Sequence, residues 1–160
     1  MQKLEIHSYI EINANPAKVW EVFLDTSKYF EWNPFIKMMI GKLAVNESFF
    51  EVAYVNDFVY MPFAMKIKSF QPPMEFIYES SDNFFAKQMF FGHHRYLLEE
   101  IGLNKTRFSH TAFFDGVIPN LQKDHILTNV KRVHIEMNEA MKKRIELVDN
   151  LTIPKTPNKN

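Results

Sequence analysis

Three histidines, a tyrosine and a glutamate carry whatever chemistry this 160-residue chain offers: His94, His110, His134, Tyr96 and Glu51. Neighbours on a strand face opposite ways, so reading Tyr96, Leu98, Phe108 and Phe114 as inward residues puts His94 and His110 on the same inner face. Both inward sets are even-numbered, which requires an odd-residue loop around Gly102. A three-residue loop from Ile101 to Leu103 sets His94 directly across from His110, with Cβ atoms about 5 Å apart. His134 sits on the apolar stripe of a long helix and points toward the same space. Three chemistries fit such a cluster. The imidazoles are neutral and satisfied within a core, they anchor a ligand carboxylate or hydroxyl in an apolar pocket, or they form an open metal site. No metal-ligand spacing of the His-Glu-x-x-His kind supports the third, so neither metal nor cofactor is expected. Glu51 shares its parity with Phe49, Ala53 and Val55; a flipped strand would turn Phe50, Val52 and Tyr54 inward instead, and the sequence leaves both open.

Other chemistries are excluded by composition. Lys+Arg and Asp+Glu both number 19, so the formal net charge is zero and no global field draws in nucleic acid or anionic membranes. The chain has no cysteine, which removes zinc ribbons, iron–sulfur clusters, thiol catalysis and disulfide frameworks. No nucleophile with an adjoining base and no Gly-rich phosphate loop is present. The opening MQKLEIHSYIEIN lacks an uninterrupted apolar core for a signal peptide, and no apolar run reaches membrane-spanning length. A cytoplasmic protein without stable membrane insertion, monomer or homodimer, is expected. Aromatic residues are abundant, with 16 Phe, 6 Tyr and 2 Trp beside 9 Met. Such side chains fill a thick core or line an apolar cavity equally well.

Positioning these groups requires elements that the patterning supplies. Leu4, Ile6, Ser8, Ile10 and Ile12 alternate with polar residues as in a half-buried strand. Asn15 and Pro16 read as the N-cap and first position of a helix whose stripe is Val19, Trp20, Phe23 and Leu24. A second short helix over Thr26 to Phe30 ends before Trp32-Asn33-Pro34. From Phe35 to Phe114, strands separated by turn signals form an antiparallel meander, with Met61, Phe63, Met65 and Ile67 on the inner face of one of them. Leu127, Val130, His134, Met137, Met141, Ile145 and Val148 follow three-and-four spacing, predicting one helix of about seven turns. One domain over 1–150 is expected, with a disordered tail over 151–160. These elements bury their apolar faces together if the sheet curls around the long helix.

Four segments in this order resemble the START/Bet v 1-like (SRPBCC, helix-grip) superfamily, in its bacterial polyketide cyclase/dehydratase and lipid-transport branch. They are Ile10 to Phe23 followed by Tyr29 to Phe35, then Gly92-His93-His94-Arg95-Tyr96-Leu97-Leu98, then Thr106 to Gly116, and finally Met137-Asn138-Glu139-Ala140-Met141-Lys142. The resemblance implies an α+β helix-grip fold, a curved antiparallel sheet of about seven strands around the C-terminal helix with two short helices after the first strand. It also implies a cavity between sheet and helix that takes a lipid, isoprenoid or aromatic polyketide. That cavity would be lined by Trp32, Phe35, Met61, Phe63, Met65, Phe76, Tyr78, Tyr96, Phe114, Val130, Met137 and Met141, with His94, His110 and His134 as polar members. Two other activities follow from the same resemblance. One is a cyclase or dehydratase using His94 or His110 as general base and Tyr96 as proton donor; the other is an Hsp90-activator-like interaction domain. Relatives commonly carry an inward Glu where this chain has Ala112, which removes one candidate acid.

Overall fold

Residues 3–152 are described by a computed structural model. Alternation builds β1 (Leu4–Ile12) with its even residues inward as read, and Ser8 among them is buried. Helix α1 (Pro16–Leu24) starts where expected: the Asn15 side chain accepts from the Lys18 amide at 3.0 Å, and Pro16 occupies the first turn. Replacing Asn15 by Ala leaves that amide without its cap and is expected to lower stability by about 1 kcal/mol in urea titration. After a 3-10 turn (Thr26–Lys28) and the short α2 (Tyr29–Trp32), the chain is pulled into β2 (Ile36–Gly41) by Asn33. Its buried carboxamide oxygen accepts from both the Phe35 and Ile36 amides at 2.9 Å.

Strands β3 (Ser48–Asn56), β4 (Val59–Gln71), β5 (Glu75–Ser80), β6 (Phe91–Gly102) and β7 (Lys105–Asp115) continue the meander. The seven strands form one antiparallel sheet in the order β1-β7-β6-β5-β4-β3-β2, so β1 closes against β7. Its concave face holds α1 and the long helix α6 (Lys131–Thr152), the helix-grip arrangement. Among the described residues, no helix is long and apolar enough to cross a membrane.

Three local expectations are corrected. The β6–β7 turn is the two-residue Leu103-Asn104 with a bulge at Ile101, not a three-residue loop, because Asn104 accepts the left-handed backbone (φ 49°) that a tight turn needs. The bulge supplies the odd residue and so preserves parity, but pairing moves by one step: His94 lies opposite Ala112, and Tyr96 opposite His110. The segment after Ser80 is more than a turn, since Asn83 caps a helix α3 (Phe84–Met89) by accepting from the Ala86 amide at 3.0 Å. The C-terminal helix is not uniform from Leu127. Helical turns α4 (Val117–Leu121) and α5 (Lys123–His125) lead into a π-helical turn (Ile126–Val130) before α6. That wider turn shifts the stripe, burying Ile126 and leaving Leu127 37% exposed.

Gly116, at φ 108°, turns β7 into α4 where any Cβ would stand 2.8 Å from the Met89 carbonyl oxygen. Leu151 and Thr152 belong to α6, and the rest of the expected tail, residues 153–160, lies outside the described residues, as does the side chain of Val148.

Candidate functional site

The inward residues of β3 settle the question left open at Glu51. Phe49, Glu51 and Ala53 all face the concave side, and Glu51 is only 2% exposed. They pair across to Met65, Phe63 and Met61 of β4, so the cross-strand neighbour of the carboxylate is a phenyl ring and not a cation. Glu51, Ala53, Met61, Phe63 and Met65, with Tyr54, Val55, His94, Phe114, Phe35 and Phe90, wall a cavity of about 290 Å³, roofed by Ile118, Gln122, His125, Ile126 and Val130. Its mouth lies where Met61 (48% exposed) and Ile118 (40% exposed) still touch solvent.

Glu51 is the one carboxyl of this wall, and no Lys or Arg belongs to it among the described residues. Burial pushes its pKa up to about 7, and the nearby Tyr78 hydroxyl, which favours the anion, holds back part of the rise. Its Oε2 has no hydrogen-bond partner. His125 plays a structural part: its Nε2 donates to the Val55 carbonyl at 2.6 Å and its Nδ1 accepts from the Asn129 amide at 2.8 Å, stapling α5 to β3.

Behind the cavity wall the structure brings the three histidines together. His94 Nδ1 and His110 Nε2 share a hydrogen bond at 3.2 Å along the diagonal that the shifted register creates. The His134 ring stacks on His110 with centroids 4.0 Å apart, and Phe35 packs edge-on against it at 4.3 Å. Tyr96 stacks on the other face of the group, 4.1 Å from His110, and shares a 3.2 Å hydrogen bond with the Tyr78 hydroxyl. Burial lowers the pKa of His94 and His110 well below the ordinary value, and that of His134 to about 3, so all three are neutral. Neutral imidazoles cannot balance a ligand carboxylate.

These histidines are also the residues that could hold a metal, with ligand nitrogens lying within 4.8 Å of one another. As packed, however, the planes of His110 and His134 are only 19° apart with centroids 4.0 Å apart, so their in-plane lone pairs lie in two stacked planes and are poorly placed to meet at one point. Both ring nitrogens of His134 and Nδ1 of His110 are buried without partners, so the carboxylate or carbonyl that usually orients a metal-bound imidazole is missing as well.

Of the residues expected to line a cavity, Phe35, Met61, Phe63, Met65, His94, Phe114 and Val130 do so. Phe76, Tyr78, Tyr96, His110, His134, Met137 and Met141 are instead fully packed in the core, and Trp32 stands edge-on to Tyr29 at 5.3 Å. The reason is that α6 packs onto β1, and its His134 stacks on His110 of β7, filling the grip at that end, while this cavity lies under the irregular helical turns. Tyr96, proposed as a proton donor, is thereby separated from the cavity. The residues the sequence reading missed, chiefly His125, Ile126, Phe90 and Gln122, come from segments whose helical character has no periodic signal.

A family described as polyketide cyclase / dehydrase and lipid transport matches residues 3–146. No curated protein matches the sequence. Among solved structures, the Zhui aromatase/cyclase of Streptomyces sp. R1128 is similar with a TM-score of 0.73 at 12% identity, over 91% of this chain and 94% of that one. A norcoclaurine synthase point mutant of Thalictrum flavum, in complex with a transition-state analogue, gives 0.67 at 9% identity over 92% and 97%. A START superfamily protein of Mycobacterium smegmatis gives 0.66 at 14% identity over 90% and 98%. At these identities the likeness is one of fold.

Proposed function

The chain belongs to the polyketide cyclase/dehydrase and lipid transport family, and on that premise we propose that it binds a small, largely apolar molecule in the cavity beneath β3 and β4. The observation that carries this reading is the cavity itself. About 290 Å³ of space, walled by Phe35, Tyr54, Phe63, Phe90, Phe114 and methionines and reached at Met61 and Ile118, is left unfilled beside core aromatics such as Phe23, Phe76, Tyr78, Tyr96 and Phe108 that are fully buried. Each Å² of apolar ligand surface moved there from water contributes about 25 cal/mol before the costs of association. A cytoplasmic location and a monomeric or homodimeric state fit this role.

Native mass spectrometry of the purified protein, followed by denaturing extraction, tests it directly; a stoichiometric apolar adduct is the expected result. A phenyl ring introduced by Ala53→Phe occupies the void, and Met61→Trp narrows its mouth without entering the packed core. Both variants are expected to lose ligand by at least about tenfold, the loss of roughly 1.4 kcal/mol of binding energy, while their circular dichroism stays unchanged. Equal occupancy in wild type and both variants would place the ligand elsewhere and end this reading.

A second reading rests on one group. A carboxyl whose pKa burial raises to about 7, on an apolar cavity wall with His94, suits proton transfer on a bound carbonyl compound. In that case Glu51→Gln abolishes turnover and leaves binding of a neutral ligand intact.

A further inference from the structure

The binding reading leaves the chemistry of the ligand open, and the cavity wall narrows it. The wall holds one carboxyl, five Phe or Tyr rings and no Lys or Arg among the described residues. Glu51 has an apolar cross-strand partner in Phe63, and its Oε2 is buried without any hydrogen bond. A carboxylate so placed costs free energy that the Tyr78 hydroxyl offsets only in part and no cation among the described residues of the wall offsets. Building on the proposed function, we propose that the cavity selects a small apolar molecule carrying an amine, bound as the ammonium ion with Glu51 as its counter-ion.

Three features of the site fit an ammonium group and disfavour the alternatives. The Glu51 carboxylate on the cavity wall accepts one of its N–H groups in a charge-assisted hydrogen bond, roughly twice as strong as a neutral one. Phe35, Phe63 and Tyr54 belong to the same wall, and a desolvated cation gains further attraction from aromatic rings. An anionic ligand, a fatty acid for instance, would lie beside Glu51 with no positive charge to receive it. The histidine nearest the cavity, His94, is hydrogen-bonded to His110 and neutral, so it does not supply that charge. The other titratable groups around the carboxyl are Tyr78 of β5, Tyr96 of β6, Tyr29 of α2 and, across the cavity, His125 of α5. The ligand's own cation is therefore the missing partner. Because burial holds the Glu51 pKa at about 7, the carboxyl is ionised at pH 8, where an aliphatic amine is still protonated.

The test is a matched series of one size and shape, 2-phenylethylamine, 2-phenylethanol and phenylacetate, titrated calorimetrically into the full chain at pH 8. The amine is expected to bind at least about tenfold more tightly than the alcohol, with no measurable binding of the acid. In Glu51→Gln the preference disappears: the amine falls to the level of the alcohol, whose own affinity is unchanged. An alcohol or acid that matches the amine overturns the amine assignment and leaves the binding reading standing. An amine preference that survives in Glu51→Gln also overturns it. Silence of all three probes counts against both.

Discussion

Acidification from pH 6.5 to 5 is expected to destabilise the fold, by about 1.7 kcal/mol through His134 alone, with His94 and His110 acting in the same direction. Each has an ordinary pKa of 6.5, which burial lowers in the folded protein, to about 3 for His134. The folded state therefore binds fewer protons than the unfolded one below pH 6.5. Stability is complete above that pH and is lost as the pH falls, until the folded-state values are reached. Glu51 works in the opposite sense over the same range and returns about 1.7 kcal/mol. Three imidazoles set against one carboxyl leave a net loss of stability on acidification. Urea titrations from pH 5 to 8 measure it. Replacing His134, which stacks between His110 and Phe35, by Phe keeps an aromatic ring in the same slot. That variant should lose about 1.7 kcal/mol less than wild type between pH 6.5 and 5. An unchanged pH dependence in His134→Phe would mean that this imidazole is protonated in the folded protein, contrary to its burial.

Glu51→Gln is expected to stabilise the ligand-free protein at high pH by about 3 kcal/mol more than it does at pH 5. Burial raises the Glu51 carboxyl from 4.5 to about 7 in the folded state. Between those values the folded protein holds a proton that the unfolded chain has released. Stability therefore falls as the pH rises through this window and stays low above it, where the carboxylate is ionised with Oε2 unpartnered. A glutamine amide has nearly the same shape and no charge, so this cost vanishes. The difference in unfolding free energy between variant and wild type, measured at pH 5 and at pH 9, gives the result. A constant difference would show that Glu51 finds compensation that its surroundings do not reveal. A wild-type curve restored to the level of the variant by added 2-phenylethylamine at pH 9 would join this prediction to the amine assignment, since a ligand that binds only the folded state raises stability by mass action.

The chain alone specified the elements and which faces they bury. The alternation in β1, the Asn15-Pro16 helix start and the three-and-four stripe from Val130 to Ile145 are local signals, each set by the geometry of its own backbone, and they led to a sheet gripping a helix. Parity likewise brought His94 and His110 to one inner face, because side-chain direction along a strand repeats every two residues whatever lies opposite. What the tertiary structure decided was offset, facing and fill. The bulge at Ile101 moved the β6–β7 pairing by one step, making the two histidines diagonal neighbours, and nothing in the hydrophobic pattern distinguishes those registers because both keep the same faces buried. Glu51 could face either way on a strand with apolar residues on both sides, until pairing with Met61, Phe63 and Met65 turned it inward. The extent of the cavity depends on how deeply α6 packs and where the π turn lifts the chain off the sheet. Those are sums over many side-chain volumes from distant segments, and no local stretch of sequence contains them.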